Sequence, residues 1–167
     1  MKILLTICLL IMATAVTAQK NEKYVCLPCG QACDAQEYMQ AGQCEHCGMK
    51  LVLKSGITHK NVTPAEVCTF ISRTPNIVLL DVRTREEYNG TADVNYGTLK
   101  NAINIPVQEL ESRLQELEKH KSKTILVFCS HSHRSPRASY LLTQNGFKKV
   151  VNMSGGMSVK ADDRCKR

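Results

Sequence analysis

Short apolar runs recur along the chain beyond residue 75. Each run holds four to six residues, is rich in Val, Ile or Leu, and is bounded by polar residues or proline, which is the pattern of a buried strand. The runs are NIVLLD (76–81), NAINIP (101–106), TILVFC (124–129) and VVNM (150–153). The third run gives the strongest strand signal, and it ends in a cysteine, Cys129.

Amphipathic segments lie between these runs. Residues 107–120 predict a helix with one apolar face, and residues 136–144 predict another that stops at Asn145-Gly146. The apolar face of the first helix comprises Val107, Leu110, Leu114 and Leu117. Capping boxes mark two more helix starts, at residues 63–66 and 84–87. Strands that alternate with helices predict an α/β fold, a parallel sheet with helices on both faces.

The first 18 residues have the pattern of a secretory signal. Lys2 precedes an apolar run, and the small residues of Val16-Thr17-Ala18 predict cleavage before Gln19. An uncleaved anchor is the alternative, but the run is shorter than the ~20 residues of a spanning helix. No other segment is apolar enough to span a membrane, so no stable membrane span is expected after cleavage. The expected location is the bacterial periplasm, with secretion as the alternative.

Charge adds little to this picture. The formal net charge is +7, and removal of Lys2 with the signal would lower it to +6. The basic residues are scattered and alternate with acidic ones, as in ESRLQELEKHK, and no basic face carries aromatic residues. This distribution predicts mild attraction of anions and no nucleic-acid partner.

Cysteines mark a small N-terminal module, predicted at residues 19–56. Cys26-x2-Cys29 and Cys44-x2-Cys47 are separated by fourteen residues, one residue short of a zinc-ribbon spacing. Two such turns can place four thiolates around one tetrahedral ion, which supplies folding energy to a segment too small for a core of its own. The pattern predicts a structural Zn2+, with a softer ion such as copper as the alternative. Disulfides among these cysteines are the competing interpretation.

This module also resembles the heavy-metal-binding ribbon of copper-transporting ATPases and related exported proteins. The matching residues are Tyr24, Cys26, the run Cys44-Glu45-His46-Cys47-Gly48-Met49, and Leu51. Cys29 stands where that family usually has histidine, which favours soft metals. Cys33 and His46 are further potential ligands.

The turn after the strongest strand concentrates reactive residue types. Cys129 ends the strand, and the next helix starts near Ser135-Pro136, so the residues between must curl. Consecutive backbone N–H groups can then face the sulfur at the positive end of a helix dipole, with Arg134 adding a fixed charge. Such surroundings favour the thiolate, which is the nucleophilic form of cysteine. A buried core thiol is the alternative for Cys129.

With neighbouring motifs, this turn resembles the active-site loop of a rhodanese, a sulfurtransferase. The matching segments are Leu80-Asp81-Val82-Arg83 with Glu86-Glu87-Tyr88, the run 97–106, Cys129 to Ser135, and Gly155-Gly156-Met157. They extend over residues 59–160, and the domain is predicted at 57–167. Departures from the family pattern are Thr98 for histidine, Asn101 for glycine, Ser132 for a frequent loop glycine, Lys160 for tryptophan, and an apparent insertion at 89–96.

The resemblance implies a function. Cys129 would carry sulfur as a persulfide, with Arg134 and the loop amides stabilising its charge. The implied substrate-binding loop comprises Ser130, His131, Ser132, His133 and Ser135. The implied partners are a small anionic donor such as thiosulfate and an acceptor, either a thiol or cyanide. Asp81 and Arg83 are expected to support the loop by ion pairing.

Two other functions and three further cysteine roles stay open. A phosphatase or arsenate reductase also surrounds a cysteine with an anion nest, although such loops usually have five residues before the arginine and this one has four. A non-catalytic metal-binding or docking module is the second alternative. Cys68 is expected in the core, and Cys165 is expected either to be free or to act as a resolving thiol for Cys129. Nothing in the sequence indicates the oligomeric state.

Overall fold

The computed structural model describes residues 22–28, 32–160 and 163–167. The predicted signal at residues 1–18 and the predicted ligand Cys29 lie outside the described residues. A small antiparallel sheet comes first, with β1 (Tyr24–Val25) between β2 (Glu37–Tyr38) and β3 (Val52–Leu53).

A second sheet has five parallel strands, as the alternating pattern predicts. Its strands along the chain are β4 (Lys60–Val62), β5 (Val78–Asp81), β6 (Ile103–Asn104), β7 (Ile125–Phe128) and β8 (Val150–Met153). They lie side by side in the order β4-β8-β7-β5-β6. The four predicted strands are confirmed. The sequence did not indicate β4, because it has one apolar residue in three.

Three α-helices are present among the described residues: α1 (Val67–Arg73), α2 (Arg85–Asn89) and α3 (Arg134–Gln144). The capping box predicted at 84–87 is complete, since Thr84 Oγ1 accepts the Glu87 N–H and the Glu87 carboxylate accepts the Thr84 N–H. At residues 63–66 the Glu66 carboxylate accepts from the Thr63 N–H and hydroxyl, and α1 begins just beyond.

The α-helix predicted over residues 107–120 is wrong in type. Residues 107–113 form turns, and Leu114–His120 is a 3₁₀ helix. The apolar positions still point inward, with Leu110 and Leu117 fully buried. Leu114 and Leu117 are three residues apart, which suits the three residues per turn of a 3₁₀ helix as well as it suits an α-helix. The spacing therefore predicted the buried face but not the helix type.

Helices cover both faces of the parallel sheet. Alternate strand residues such as Leu80 and Val127 pack with Ala138 and Leu142 of α3 on one face. Their neighbours on the strands pack with α1 on the other face. Consecutive strand residues point to opposite faces, so fully buried strands need apolar residues throughout. In the described residues, no helix is long and apolar enough to cross a bilayer.

Candidate active site and metal centre

Cys129 lies at the carboxyl edge of the parallel sheet, directly after the central strand β7. Arg134 starts α3 only five residues later, so residues 129–135, the Cys129 loop, turn sharply from strand to helix. The Cys129 side chain is fully buried, and its sulfur lies 3.4 Å from the Ser135 hydroxyl. The structure therefore places the predicted nucleophile where ligands bind in parallel α/β sheets.

The backbone of the loop curls as expected. Ser132 takes a left-handed conformation (φ +66°), which glycine would adopt more readily, and its hydroxyl accepts the Gly155 N–H at 3.1 Å. The N–H groups of residues 131–134 donate no hydrogen bond to any described residue. None of these N–H groups reaches the Cys129 sulfur, whose hydrogen-bond partner within the described residues is Ser135. The loop thus holds four unused donors at the amino end of α3.

The Gly155-Gly156 turn and the residues that follow it hold the start of the loop by backbone hydrogen bonds. The Met157 N–H donates to the Cys129 carbonyl at 2.8 Å, and the Ser158 N–H donates to the Ser130 carbonyl at 3.0 Å. Gly156 is pressed against this backbone, because a Cβ added there would lie 2.2 Å from the Ser130 carbonyl oxygen. Only a residue without a side chain fits this approach.

Arg134 is held by Glu87, a residue to which the sequence assigned no role in the site. Its guanidinium donates to both Glu87 carboxylate oxygens, at 2.5 and 2.8 Å, and the Ser130 hydroxyl donates to the same carboxylate at 2.7 Å. Hydrogen bonds from Arg134 hold the pKa of Glu87 at about 2. The pKa of Arg134 is raised, first by its hydrogen bonds to Glu87 and more weakly by the charges of Glu87 and Cys129. The side-chain partners of Arg134 within the described residues are therefore Glu87 and Ser130.

Asp81 and Arg83 form the ion pair that the sequence analysis expected. Both side chains are buried, and the guanidinium donates to the carboxylate at 2.6 and 2.9 Å. Arg83 also donates to the Gly97 carbonyl at 2.9 Å, and the Thr98 hydroxyl donates to Asp81 at 2.8 Å. Thr98, which departs from the family pattern, thus completes the hydrogen bonding of the buried carboxylate.

The two loop histidines are exposed at the rim. His131 Nε2 lies 3.3 Å from the Tyr96 hydroxyl, and the two rings meet edge to face with centroids 5.4 Å apart. His133 directly precedes α3 and gives no side-chain cap to it. The structure therefore brings all seven predicted loop residues to one turn, but it buries Ser130, Ser132 and Ser135 and exposes both histidines.

The comparisons with known proteins agree with this geometry. The model of the rhodanese-like domain matches residues 63–160, more than half of the chain. The chain belongs to the rhodanese-like domain family. A crystal structure of a rhodanese-like domain protein from Staphylococcus aureus superposes with a TM-score of 0.52 at 27% identity, covering 64% of this chain and 96% of that one.

Curated relatives carry a similar rhodanese-like domain within longer chains. A tRNA uridine(34) hydroxylase from Cytophaga hutchinsonii is 30% identical over 115 residues, 67% of this chain and 35% of that protein. The protein of the same name from Acinetobacter baumannii strain AYE is 35% identical over 98 residues, 56% of this chain and 29% of that protein. The chain thus spans about a third of the length of these relatives.

Before the rhodanese-like domain, four cysteines meet in the small N-terminal module. The sulfurs of Cys26, Cys33, Cys44 and Cys47 all lie within 4.8 Å of one another. Three of these four were predicted ligands. Cys33 takes the fourth position, and Cys29 lies outside the described residues. His46, the other potential ligand, is exposed, and its ring faces Gln36.

The donor set of this cluster fits a metal ion. Four sulfurs around a tetrahedral Zn2+ at ~2.3 Å stand about 3.8 Å apart, close to the separations found here. The sulfurs of Cys26 and Cys47 are 3.2 Å apart, too far for a disulfide. Burial raises the pKa of the Cys26 thiol, whereas backbone N–H groups of Cys47 and His46 lower the pKa of Cys44 to about 6. One sulfur is thus prepared as a thiolate, and the cluster could bind a metal.

The remaining two cysteines of the rhodanese-like domain correct an expectation. Cys68 and Cys165 form a disulfide, with Cα atoms 5.3 Å apart and a sequence separation of 97. Cys165 is therefore not a resolving thiol for Cys129, and Cys68 does more than fill the core. The sequence could not indicate this pair, because only the fold brings α1 and the C-terminal segment together.

Proposed function

We propose that the protein is a sulfurtransferase that carries sulfur as a persulfide on Cys129. The observation that carries the proposal is the Cys129 loop itself, a cysteine at the amino end of α3 beside four backbone N–H groups that donate to no described residue. Such groups suit a small anion or a persulfide because they provide fixed positive ends of dipoles. Membership of the rhodanese-like family supports the same assignment.

In the first half-reaction, the Cys129 thiolate attacks the outer sulfur of thiosulfate or a similar donor. The sulfur–sulfur bond of the donor breaks, sulfite leaves with the electron pair, and Cys129 becomes a persulfide. The loop N–H groups stabilise the negative charge of the donor and then of the persulfide. The Cys129 side chain is buried in this structure, so the donor reaches its sulfur only when the surrounding groups move.

In the second half-reaction, an acceptor thiolate attacks the outer sulfur of the persulfide. The persulfide bond breaks, and its electron pair returns to Cys129, which regenerates the thiolate. Arg134 contributes a positive charge to both steps from its position on Glu87. Asp81 and Arg83 act as support, since their ion pair fixes the end of β5 beside β7.

A phosphatase or arsenate reductase is less well supported. The carboxylate beside the loop is Glu87, and hydrogen bonds from Arg134 and Ser130 keep its pKa at about 2. A carboxylate with so low a pKa cannot act as the general acid that a phosphate ester needs near neutral pH. The hydroxylation of tRNA, named for the curated relatives, is not proposed here because the match covers about a third of their length.

Intact mass spectrometry after treatment with thiosulfate tests the proposal. We expect the wild-type protein to gain one sulfur atom on Cys129, and Cys129→Ser to gain none. Ser135→Ala is a useful companion, because it keeps the nucleophile and removes its hydroxyl neighbour. A wild-type protein that stays unmodified by thiosulfate while it hydrolyses a phosphate ester would favour the phosphatase instead.

The metal centre is proposed as structural zinc bound by Cys26, Cys33, Cys44 and Cys47. Four sulfur donors suit zinc and also copper(I). The ion would replace the thiol protons and hold the strands of the small sheet together. Elemental analysis of the purified protein should find one equivalent of zinc, and a copper signal instead would support the alternative.

An exported location, as the N-terminal pattern predicts, is part of the same proposal. The disulfide between Cys68 and Cys165 supports it, because disulfides persist in oxidising compartments. Fractionation of cells that express the full chain should recover the mature protein outside the cytoplasm. Its mass should match a chain that begins at Gln19. Recovery of the uncut chain in the cytoplasm would contradict this location.

A further inference from the structure

A cleft of about 740 Å3 opens beside the Cys129 loop. Three of its lining residues, Tyr96, Met157 and Ser158, contact the loop directly. The Tyr96 hydroxyl lies 3.3 Å from His131 Nε2, and the Met157 N–H donates to the Cys129 carbonyl at 2.8 Å. The cleft therefore shares a wall with the segment that carries the reactive sulfur.

One wall of the cleft is basic. Lys160, Lys166 and Arg167 line it, and Asp163 is the one acidic residue among the described lining residues. Asp163 pairs with Lys166 at 2.8 Å, which leaves a net positive wall. Positive charge in a cleft attracts small anions and concentrates them there. The volume is in the range of small-molecule sites and is more than thiosulfate needs.

The basic wall is fixed to the fold rather than loosely attached. Cys165 is bound to Cys68 of α1, and its carbonyl accepts the Lys100 N–H at 2.9 Å. Arg167 exchanges backbone hydrogen bonds with Thr98, at 2.8 and 3.4 Å. Its guanidinium carbon also lies 4.6 Å from the centre of the Tyr88 ring, a cation–π arrangement.

We propose that this cleft binds the acceptor of the transferred sulfur, a small thiol that carries carboxylates, and that the disulfide between Cys68 and Cys165 holds its basic wall in place. This inference rests on the proposed sulfur transfer through Cys129. It adds the chemical class of the acceptor and the site that selects it.

The chemistry needs no further reactant. The acceptor thiolate, held by its carboxylates against Lys160 and Lys166, attacks the outer sulfur of the Cys129 persulfide. The bond between the two persulfide sulfurs breaks, and its electron pair goes to Cys129. The acceptor leaves as a persulfide, so sulfur moves from one thiolate to another and no net oxidation occurs. A neutral thiol can react in the same way but gains nothing from the basic wall.

Single-turnover transfer from the preloaded persulfide tests the inference. The protein is loaded with thiosulfate, freed of excess donor, and mixed with mercaptosuccinate, which has two carboxylates, or with neutral 2-mercaptoethanol. Loss of the added sulfur is followed by intact mass spectrometry. For the Lys160→Gln/Lys166→Gln variant, we expect transfer to mercaptosuccinate to slow about tenfold relative to the wild type, as loss of ~1.4 kcal/mol of binding would give. Transfer to 2-mercaptoethanol should stay within about twofold.

Lys149→Gln is the matched control, because it removes one exposed positive charge at the amino end of β8, away from the Cys129 loop. It should leave both rates unchanged. The Cys68→Ser/Cys165→Ser variant should lose the preference for mercaptosuccinate as the lysine variant does, and it should still load sulfur on Cys129. The lysine variant keeps the test decisive even if the disulfide variant does not fold.

Each outcome has one meaning. Equal slowing of both thiols, or no slowing of either, in the lysine variant would overturn the cleft as the acceptor site while persulfide loading still supports the transferase. A disulfide variant that folds and retains the preference would overturn the role of the disulfide. Failure of the wild type to load sulfur would overturn the proposed function, and this inference with it.

Discussion

The N-terminal module and the rhodanese-like domain use cysteine in contrasting ways. In the module, four sulfurs crowd within 4.8 Å of one another and make up most of a small core. In the larger domain, Cys129 stands apart from other cysteines at the end of a sheet strand, and extensive apolar clusters on both faces hold the fold. Clustered thiols suit the binding of a metal ion that stabilises the fold in place of a large apolar core. A single thiol at the start of a helix suits nucleophilic catalysis.

This contrast indicates which interactions stabilise each region. The buried cluster of the module holds three cysteines and Leu51, with a few half-buried side chains around them, and Val25 and Leu27 are also buried. So small a core cannot offset the entropy of ordering the segment. The rhodanese-like domain buries fully apolar strands such as Ile125–Phe128 and therefore has a large core of its own. The two regions should therefore respond separately to perturbation, and four predictions test that separation.

Metal removal should have the largest effect. Structural zinc contributes about 10 kcal/mol or more to the folding of small cysteine modules, so chelation should unfold the module. Persulfide formation on Cys129 should fall by less than about twofold, because the Cys129 loop draws on the large domain. The measurements are amide hydrogen exchange over residues 22–56 and mass spectrometry of the loaded sulfur. A parallel loss of persulfide formation would show that the regions are coupled, for example through the cleft that Met49 and Arg137 both line.

The buried ion pair gives the next largest effect, now confined to the rhodanese-like domain. Asp81→Asn leaves the Arg83 charge buried without its partner, and such a loss costs about 3–5 kcal/mol. Urea denaturation should show the lowered free energy of unfolding, and the metal content should not change. Glu118→Gln, which removes an exposed ion pair with Lys121, is the control and should cost less than about 1 kcal/mol. An equal loss of unfolding free energy in both variants would contradict the argument that the buried ion pair contributes more than the exposed one.

A substitution at Gly156 tests how the Gly155-Gly156 turn holds the backbone of the Cys129 loop. In Gly156→Ala the new Cβ would lie 2.2 Å from the Ser130 carbonyl oxygen, so the loop backbone must shift. We expect about 2 kcal/mol of destabilisation, as overpacking typically costs, and about a hundredfold slower persulfide formation. Gly146→Ala is the matched control, because it shares the positive φ (+84°) but meets nothing within 4 Å. If both variants load sulfur equally slowly, backbone strain rather than the close contact explains the effect.

The sequence predicted the features that depend on neighbours along the chain. The capping box at Thr84 and the position of Cys129 after a strand are local patterns, and the structure confirms both. Apart from the meeting of Cys26 with Cys44 and Cys47, contacts between distant segments were not predicted. Glu87 meets Arg134 47 residues away, because β5 and β7 are adjacent and the segments that follow them emerge at the same edge of the sheet.

The cysteines show the same limit. The spacing favoured Cys29, which lies outside the described residues, and it offered Cys33 only as a further potential ligand. Cys33 joins the cluster through the short 3₁₀ turn at Ala32–Ala35, which the spacing did not predict. The partner of Cys165 depends on a contact between segments 97 residues apart. Periodicity also could not separate a 3₁₀ helix from an α-helix at Leu114–His120, because both bury residues three apart. Local patterns thus identify which residues matter, and the tertiary fold decides their partners.

The smallest predicted effect is the change in unfolding free energy at acid pH. The pKa of Glu87 is held at about 2, below its ordinary 4.5, chiefly by hydrogen bonds from Arg134. A lowered carboxylate pKa adds stability above pH 4.5 that is lost as the pH falls toward 2. Wild type should therefore exceed Glu87→Gln by about 1 kcal/mol in free energy of unfolding at pH 7, and the difference should shrink below pH 4.5. Because both proteins carry the same cysteine cluster, acid loss of any ion bound there affects both equally and cancels in this difference. The difference therefore reports on the Cys129 loop alone. Urea denaturation at pH 7, 4 and 3 measures it. A difference that is constant over this range would mean that the carboxylate charge does not hold Arg134 in place.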